Sequence, residues 1–229
     1  MAPNLASIVQ SPQEPVVPKV VPPCPMDDEK FWSHWAADRG YENLISENFA
    51  EASRCYQKAS SMYGIGASWK GVTRSLVCDA YTRMSEIVGD LPENTIHLKE
   101  RETFEQSAQR ELKKENMPLA AKLFELTALG YYLDLGENGR FKNDPLHRED
   151  GTWQDASLKG GYFMEYAASL VTDTAEKKRL LGLARDITAT LLDTNHSATS
   201  DYRVKKGQAP FPDVALAQAT VARLNNMLR

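Results

Sequence analysis

Apolar residues recur every three or four positions through most of this chain, and no segment shows sustained alternation. That period belongs to α-helices with one buried stripe, so strands are not expected and the fold class is all-α. Over residues 46–63, Phe49, Ala52, Tyr56, Ala59 and Tyr63 share a face, and Gly64 and Gly66 follow where such a helix would end. A helix over residues 68–88 lines up Trp69, Val72, Leu76, Ala80, Met84 and Ile87, and Pro92 closes it. Residues 98–114 place Phe104, Ala108 and Leu112 among many charges, the mark of a solvated amphipathic helix. Pro118 suits a helix start, and residues 118–134 are apolar over a broad face. Helices over 152–171 and 173–193 follow. Asp173 and Glu176 make a capping box for the second, whose inward line is Leu180, Ala184, Ile187 and Leu191. After a polar connector, Asp213 caps a last helix carrying Val214, Ala217, Val221, Leu224 and Leu228. A first helix capped by Asp27, with Phe31, Trp32 and Trp35 on one face, brings the total to about eight.

Two segments break the pattern. Seven of the 12 prolines fall within residues 1–26, where fixed φ angles and missing amide donors predict an extended, disordered leader. Residues 136–151 are rich in Gly, Asn, Asp and Pro and read as a long polar loop inside the helical domain, which spans 27–229.

Within the helical part, residues 49–63 align without gaps on residues 117–131. Ala52 matches Ala120, Tyr56 matches Phe124, Ala59 matches Thr127 and Tyr63 matches Tyr131. The offset of 68 residues is twice the ~34-residue period of helical-hairpin repeats. The residue types suit that role: Ala lets two helices approach, and an aromatic ring one turn later fills the groove beside it. A right-handed solenoid of antiparallel helical hairpins is therefore expected.

The residues that carry this pattern also resemble a known family. Residues 50–84, with Glu51, Ala52, Tyr56, Lys58, Ala59, Met62, Tyr63 and then Trp69, look like the N-terminal hairpin of the soluble NSF attachment proteins (SNAPs). The terminal Leu228-Arg229 looks like the alpha-type ending, with Asn225, Asn226 and Met227 where those members carry an acidic run. The resemblance implies a tetratricopeptide-like adaptor that brings the ATPase NSF onto SNARE bundles, with Leu228 engaging the ATPase. It also implies that Leu44 and Ile45 are the remnant of an apolar membrane-touching loop, giving at most weak peripheral contact.

Composition changes the picture by exclusion. With 229 residues, 42% apolar and 25% charged, the chain has enough material for a real core. A net charge of −4 argues against binding nucleic acid, which needs clustered excess Lys and Arg. No apolar run reaches the ~20 residues of a membrane span, and no secretory signal is visible, so a cytoplasmic location is expected. The three cysteines, Cys24, Cys55 and Cys78, form no paired framework and fit a reducing compartment.

Signs of catalysis are sparse. His34, His97, His147 and His196 are scattered, with no HExxH and no second ligand one turn away. Residues 64–71 superficially resemble a phosphate loop, but Trp69 and Gly71 stand where GxxxxGK[ST] cannot accept them. Residues 134–145 faintly resemble a calcium loop, but its twelfth position is Pro145 rather than a bidentate Glu. No cofactor, metal or small-molecule substrate is expected. Basic residues are more informative: Arg54, Lys58, Lys70 and Arg74 surround the first hairpin, and Lys177, Lys178 and Arg179 open a later helix. On one face of a solenoid they would meet an acidic helical bundle and steer its docking. Arg54, Lys58, Lys70 and Arg74, together with Leu228 and Arg229, are the candidate partner-binding residues; Ala52, Tyr56, Ala59, Tyr63, Trp69, Ala120 and Phe124 are the candidate packing residues. Two other roles fit the same helices: an accessory subunit of a cytoskeletal, ciliary or ribosomal assembly, or an enzyme pairing Glu165 with Asp155 or Asp186 as acid and base.

Overall fold

Why each stripe becomes a helix wall is seen in the computed structural model, which describes residues 33–46, 48–64, 69–91, 101–133 and 153–229. These form α1 (Ser33–Ile45), α2 (Phe49–Gly64), α3 (Trp69–Gly89), α4 (Arg101–Lys113), α5 (Met117–Leu133), α6 (Trp153–Leu170), α7 (Thr174–Ala189), α8 (Asn195–Lys205) and α9 (Pro212–Leu228). A 3-10 turn, Thr190–Asp193, joins α7 to α8. Among the described residues there is no strand, and the protein is all-α. The expected leader at 1–26, the Asp27 cap, Phe31 and Trp32, and the loop at 136–151 lie outside the described residues.

The helices pack mainly on their neighbours in the chain: α1 on α2, α2 on α3, α4 on α5, α5 on α6 and α6 on α7. Longer-range contacts tie this row together: α3 against α5, and α9 against α7 and, more lightly, α6. One large apolar core runs from Ala36 in α1 to Leu224 in α9. Leu191, Val214 and Ala217 form a smaller cluster under Leu158, Leu192 and Phe211. Helix α5 is buried on nearly every side, which is why its apolar residues spread around the helix instead of forming a narrow stripe.

The internal repeat has a counterpart in depth. Ala52 and Ala120 are both fully buried, as are Ala59 and its match Thr127, while Tyr56 and Phe124 are 2% and 3% exposed. Each of the two rings meets the next helix in the chain. Tyr56 stacks on Tyr81 of α3 at 4.4 Å, and Phe124 meets Tyr166 of α6 edge-on at 4.6 Å. Tyr56 has a wall behind it too: a Cβ on Gly40 of α1 would stand 2.9 Å from its ring. Tyr63 and Trp69 belong to α2 and α3, but their side chains lie outside the described set.

Where the structure departs from the pattern, polar residues are the reason. The helix expected over 173–193 stops at Ala189, where Thr190 bonds the Ile187 carbonyl at 2.6 Å and shares a 2.7 Å hydrogen bond with Ser157 of α6. Its start is as expected, with Asp173 accepting from the Glu176 amide at 2.7 Å. The supposed connector contains α8. Its buried positions are Ser197 and Ser200, so it has no apolar stripe to reveal it; Thr194 caps it, and Ser200 accepts from the Phe211 amide at 2.9 Å. Helix α9 begins at Pro212 rather than at an Asp213 cap. Asp213 instead bonds His196 of α8 at 2.9 Å, and His196 stacks flat on Phe211.

Two helix ends close by the same device with different residues. After α8, the Gly207 amide bonds the Val204 carbonyl and the Gln208 amide that of Arg203; after α4, Glu115 and Asn116 do the same with Leu112 and Glu111. The turning residue needs positive φ, +75° at Gly207 and +60° at Glu115. Glycine adopts this region freely and glutamate does not. Glu115→Gly is therefore expected to raise stability by about 0.5–1 kcal/mol, read as a higher thermal midpoint. A lower midpoint would show that Glu115 makes a compensating contact.

Candidate partner-binding surface

The expected cationic face divides on inspection. Arg54 on α2 is exposed and leans on Glu51 one turn back, at 3.2 Å. Lys58, one turn further along, is half-buried, and its carbonyl accepts from Ser61. Both Lys70 and Arg74 belong to the first part of α3, with side chains outside the described set. Lys177 and Lys178 are exposed on α7.

Arg179, expected beside them on the surface, turns inward. The cause lies in α5. Glu125, in the middle of the apolar helix α5, is 2% exposed, and an ionised carboxylate at that depth needs cations around it. Arg83 of α3 supplies a two-pronged grip, Nε to Oε1 at 2.8 Å and Nη2 to Oε2 at 3.1 Å. Arg179 Nη2 adds a third bond to Oε1 at 2.8 Å. Glu176, in turn, accepts two bonds from Arg179, at 2.7 and 2.8 Å. Those bonds hold its carboxyl below the usual carboxylate range against the opposing effect of burial. Both arginines are pushed above their ordinary value, the carboxylate partners outweighing burial, which acts the other way. The cluster joins α3, α5 and α7, three helices far apart in sequence. The signal was visible as one acid inside the otherwise apolar stretch from Leu123 to Leu133, but a pattern of single helices gives no hint of which arginines answer it.

At the C-terminus, Leu228 is half-buried against the large core, while Met227 and Arg229 are exposed. Arg223 of α9 donates to Glu165 of α6 through both terminal guanidinium nitrogens, fixing the last helix on the row. Leu44, the residue suggested for membrane contact, is 4% exposed and belongs to the core. Ile45 has no described side chain. No helix among the described residues is long and apolar enough to cross a membrane.

The carboxylates considered for acid–base chemistry are each held by a cation: Glu165 by Arg223, Asp155 by Lys159 at 2.9 Å, and Asp186 by Arg185 at 2.7 Å. Asp155 and Glu165 stand ten residues apart on α6, about 15 Å along its axis. Among the described residues no three His, Cys, Asp or Glu side chains gather as metal ligands. Cys55 and Cys78 are buried thiols on α2 and α3. His97, His147, Cys24 and the calcium-like segment 134–145 lie outside the described residues, and of His34 only the backbone is described.

Comparison of the chain with protein-family models, with curated proteins and with solved structures gives no match.

Proposed function

We propose that this protein is a non-enzymatic adaptor, a row of helical hairpins whose outer faces hold another protein. The observation that carries this reading is the packing of consecutive helices with matched small and aromatic residues at equal depth, Ala52 and Tyr56 in one unit, Ala120 and Phe124 in the other. Hairpins of this type bury one side against a neighbour and leave long helix surfaces for a partner. Large apolar side chains on those surfaces, among them Tyr162, Tyr202 and Leu216, each more than half exposed, supply contact area.

The particular form of the reading is SNAP-like. The partner is an acidic SNARE bundle, met by Arg54, Lys58, Lys70 and Arg74, and the adaptor recruits an NSF-type ATPase through Leu228 and Arg229. It works in the cytoplasm, and with Leu44 in the core any contact with membranes comes through the bundle. Support comes from the resemblance of residues 50–84 and from Arg54 standing on the solvent face of α2.

The test uses the purified chain, an assembled SNARE bundle and NSF. Lys58→Glu with Lys70→Glu is expected to weaken capture of the bundle severalfold without unfolding the chain, because charged rim contacts govern encounter. Removing Leu228 and Arg229 is expected to leave capture intact and abolish stimulation of the ATPase. Full stimulation by the truncated chain would refute the role of Leu228, and unchanged capture by the double variant would remove the cationic patch.

A further inference from the structure

Between α4 and α6, over α5, lies an open cleft of about 300 Å³ that neither the cationic patch nor the C-terminus uses. Its floor is Phe124, and its α6 wall is Tyr162, Phe163 and Tyr166. The rings are locked on one another. Phe124 meets Tyr166 edge-on at 4.6 Å, Tyr162 meets Phe163 edge-on at 5.2 Å, and Tyr131 stacks flat on Phe163 at 5.4 Å. Across from them, α4 contributes Glu105, whose oxygens accept from the Tyr131 hydroxyl at 3.4 Å and from Gln109 at 3.3 Å. Both donors are neutral. Among the described residues no cation pairs with Glu105, whose partners are these two neutral donors.

Several aromatic faces with one carboxylate make an electrostatic trap for an organic cation. The ring quadrupole attracts positive charge, the carboxylate completes the neutralisation, and the apolar stem of the ligand covers the rings. Beside the cleft, Lys159 Nζ, paired with Asp155 at 2.9 Å, stands 5.4 Å from the centroid of the Tyr131 ring that stacks on Phe163. The same charge disfavours inorganic anions and acidic peptides. The cleft is open to solvent along one side, and Tyr162 at its rim is 63% exposed. A free small cation would remain half-wet there, whereas a side chain would lay its stem across the rings and keep its backbone outside.

We infer that this cleft receives a lysine side chain, plain or N-methylated, presented by a partner polypeptide. The inference rests on the adaptor reading for the existence of such a partner, and it adds a contact on α4 and α6 far in sequence from the cationic patch on α2 and α3.

A short glycine–serine peptide carrying one trimethyl-lysine serves as probe, titrated into the full chain and followed by NMR. The controls are the neutral isostere, with carbon in place of the nitrogen, and choline. Binding of the charged peptide is expected to exceed that of the isostere by about tenfold, and Glu105→Gln and Tyr162→Ala are each expected to weaken it about three- to tenfold. Tyr162 is exposed and Glu105 keeps its hydrogen-bonding shape as Gln, so neither variant should unfold, which circular dichroism checks. Equal binding of the isostere would reduce the cleft to an apolar patch and overturn the proposal. So would absence of binding at millimolar peptide, indifference to both variants, or choline binding as tightly as the peptide. A chain that binds the peptide but captures no SNARE bundle keeps the cleft and removes the SNAP-like role; a chain that captures the bundle but ignores the peptide does the reverse.

Discussion

Glu125→Ala is expected to destabilise the protein by about 3–5 kcal/mol, the usual consequence of removing one partner from a buried ion cluster. The loss comes less from the missing bonds than from what stays behind. Arg83 and Arg179 would remain in a partly buried site with their shared carboxylate gone, facing one another across α5. The companion experiment separates these causes. Replacing Glu125 by Leu, and Arg83 and Arg179 by Met, removes the buried carboxylate and both arginines at once, leaving the more exposed Glu176 to water, and is expected to be near neutral or stabilising, because desolvating the charges costs about as much as their attraction returns. If the single variant were as stable as the original protein, water and the remaining acids Glu176 and Glu86 would suffice to neutralise the arginines, and Glu125 would not be the centre of the cluster. Acid should erode the same cluster from its outer member. Glu176 has its folded value lowered, so its contribution is complete above the ordinary value of 4.5 and fades as pH falls through the lowered one. In Arg179→Met, whose Glu176 has lost its main donor and keeps only the weaker attraction of Arg83 and Lys122, that acid-side loss should shrink in denaturation midpoints measured across the range. A midpoint that still falls as steeply in the variant would place the titration elsewhere.

The second large effect concerns three glycines that look alike in sequence. Gly160 and Gly161 lie side by side in α6, between α5 and α7, and Gly182 lies within α7. A Cβ on Gly161 would stand 2.0 Å from Thr188 Oγ1 and 3.3 Å from the Ala184 carbonyl. On Gly160 it would stand 3.1 Å from both the Ile187 methyl and the Tyr132 Cβ, and 3.2 Å from the Ala128 carbonyl. Thr188 cannot simply turn away, because its hydroxyl bonds the Ala184 carbonyl at 2.7 Å. Alanine at both sites is expected to cost about 2–3 kcal/mol, overpacking exceeding the gain in helix propensity. Gly182 has nothing within 4 Å of its would-be Cβ. There, propensity acts alone, and Gly182→Ala should stabilise by about 1 kcal/mol. Urea midpoints for the two variants should move in opposite directions. A stabilised Gly160, Gly161 double variant would mean that α6 is not pinned between its neighbours.

These contrasts also show what could be read from the chain and what could not. The stripes of α2, α3, α7 and α9 were legible because their inward residues are apolar at fixed steps, and Leu180, Ala184, Ile187 and Leu191 are all buried. Helix α8 was not, since serines make its inner face. The same limit applies to charge. Arg179 sits in a basic run with Lys177 and Lys178, and only the position of Glu125 in space separates its fate from theirs. The sequence singled out the candidate cationic residues Arg54, Lys58, Lys70 and Arg74 by their place around the first hairpin. It gave no notice of the cleft at Glu105, which forms only when α4 and α6 come together over Phe124. Its lining unites rings of α5 and α6 with Glu105, Gln109 and Leu112 of α4, and no local pattern encodes that meeting.

The adaptor reading stands or falls on direct contact with a helical partner. Sedimentation velocity of the purified chain mixed with an assembled SNARE bundle measures it without assuming which residues take part. The account predicts a stable faster-moving complex at low salt that dissociates progressively as salt screens the basic face. Two species sedimenting independently at every salt concentration, with the chain folded, would contradict it.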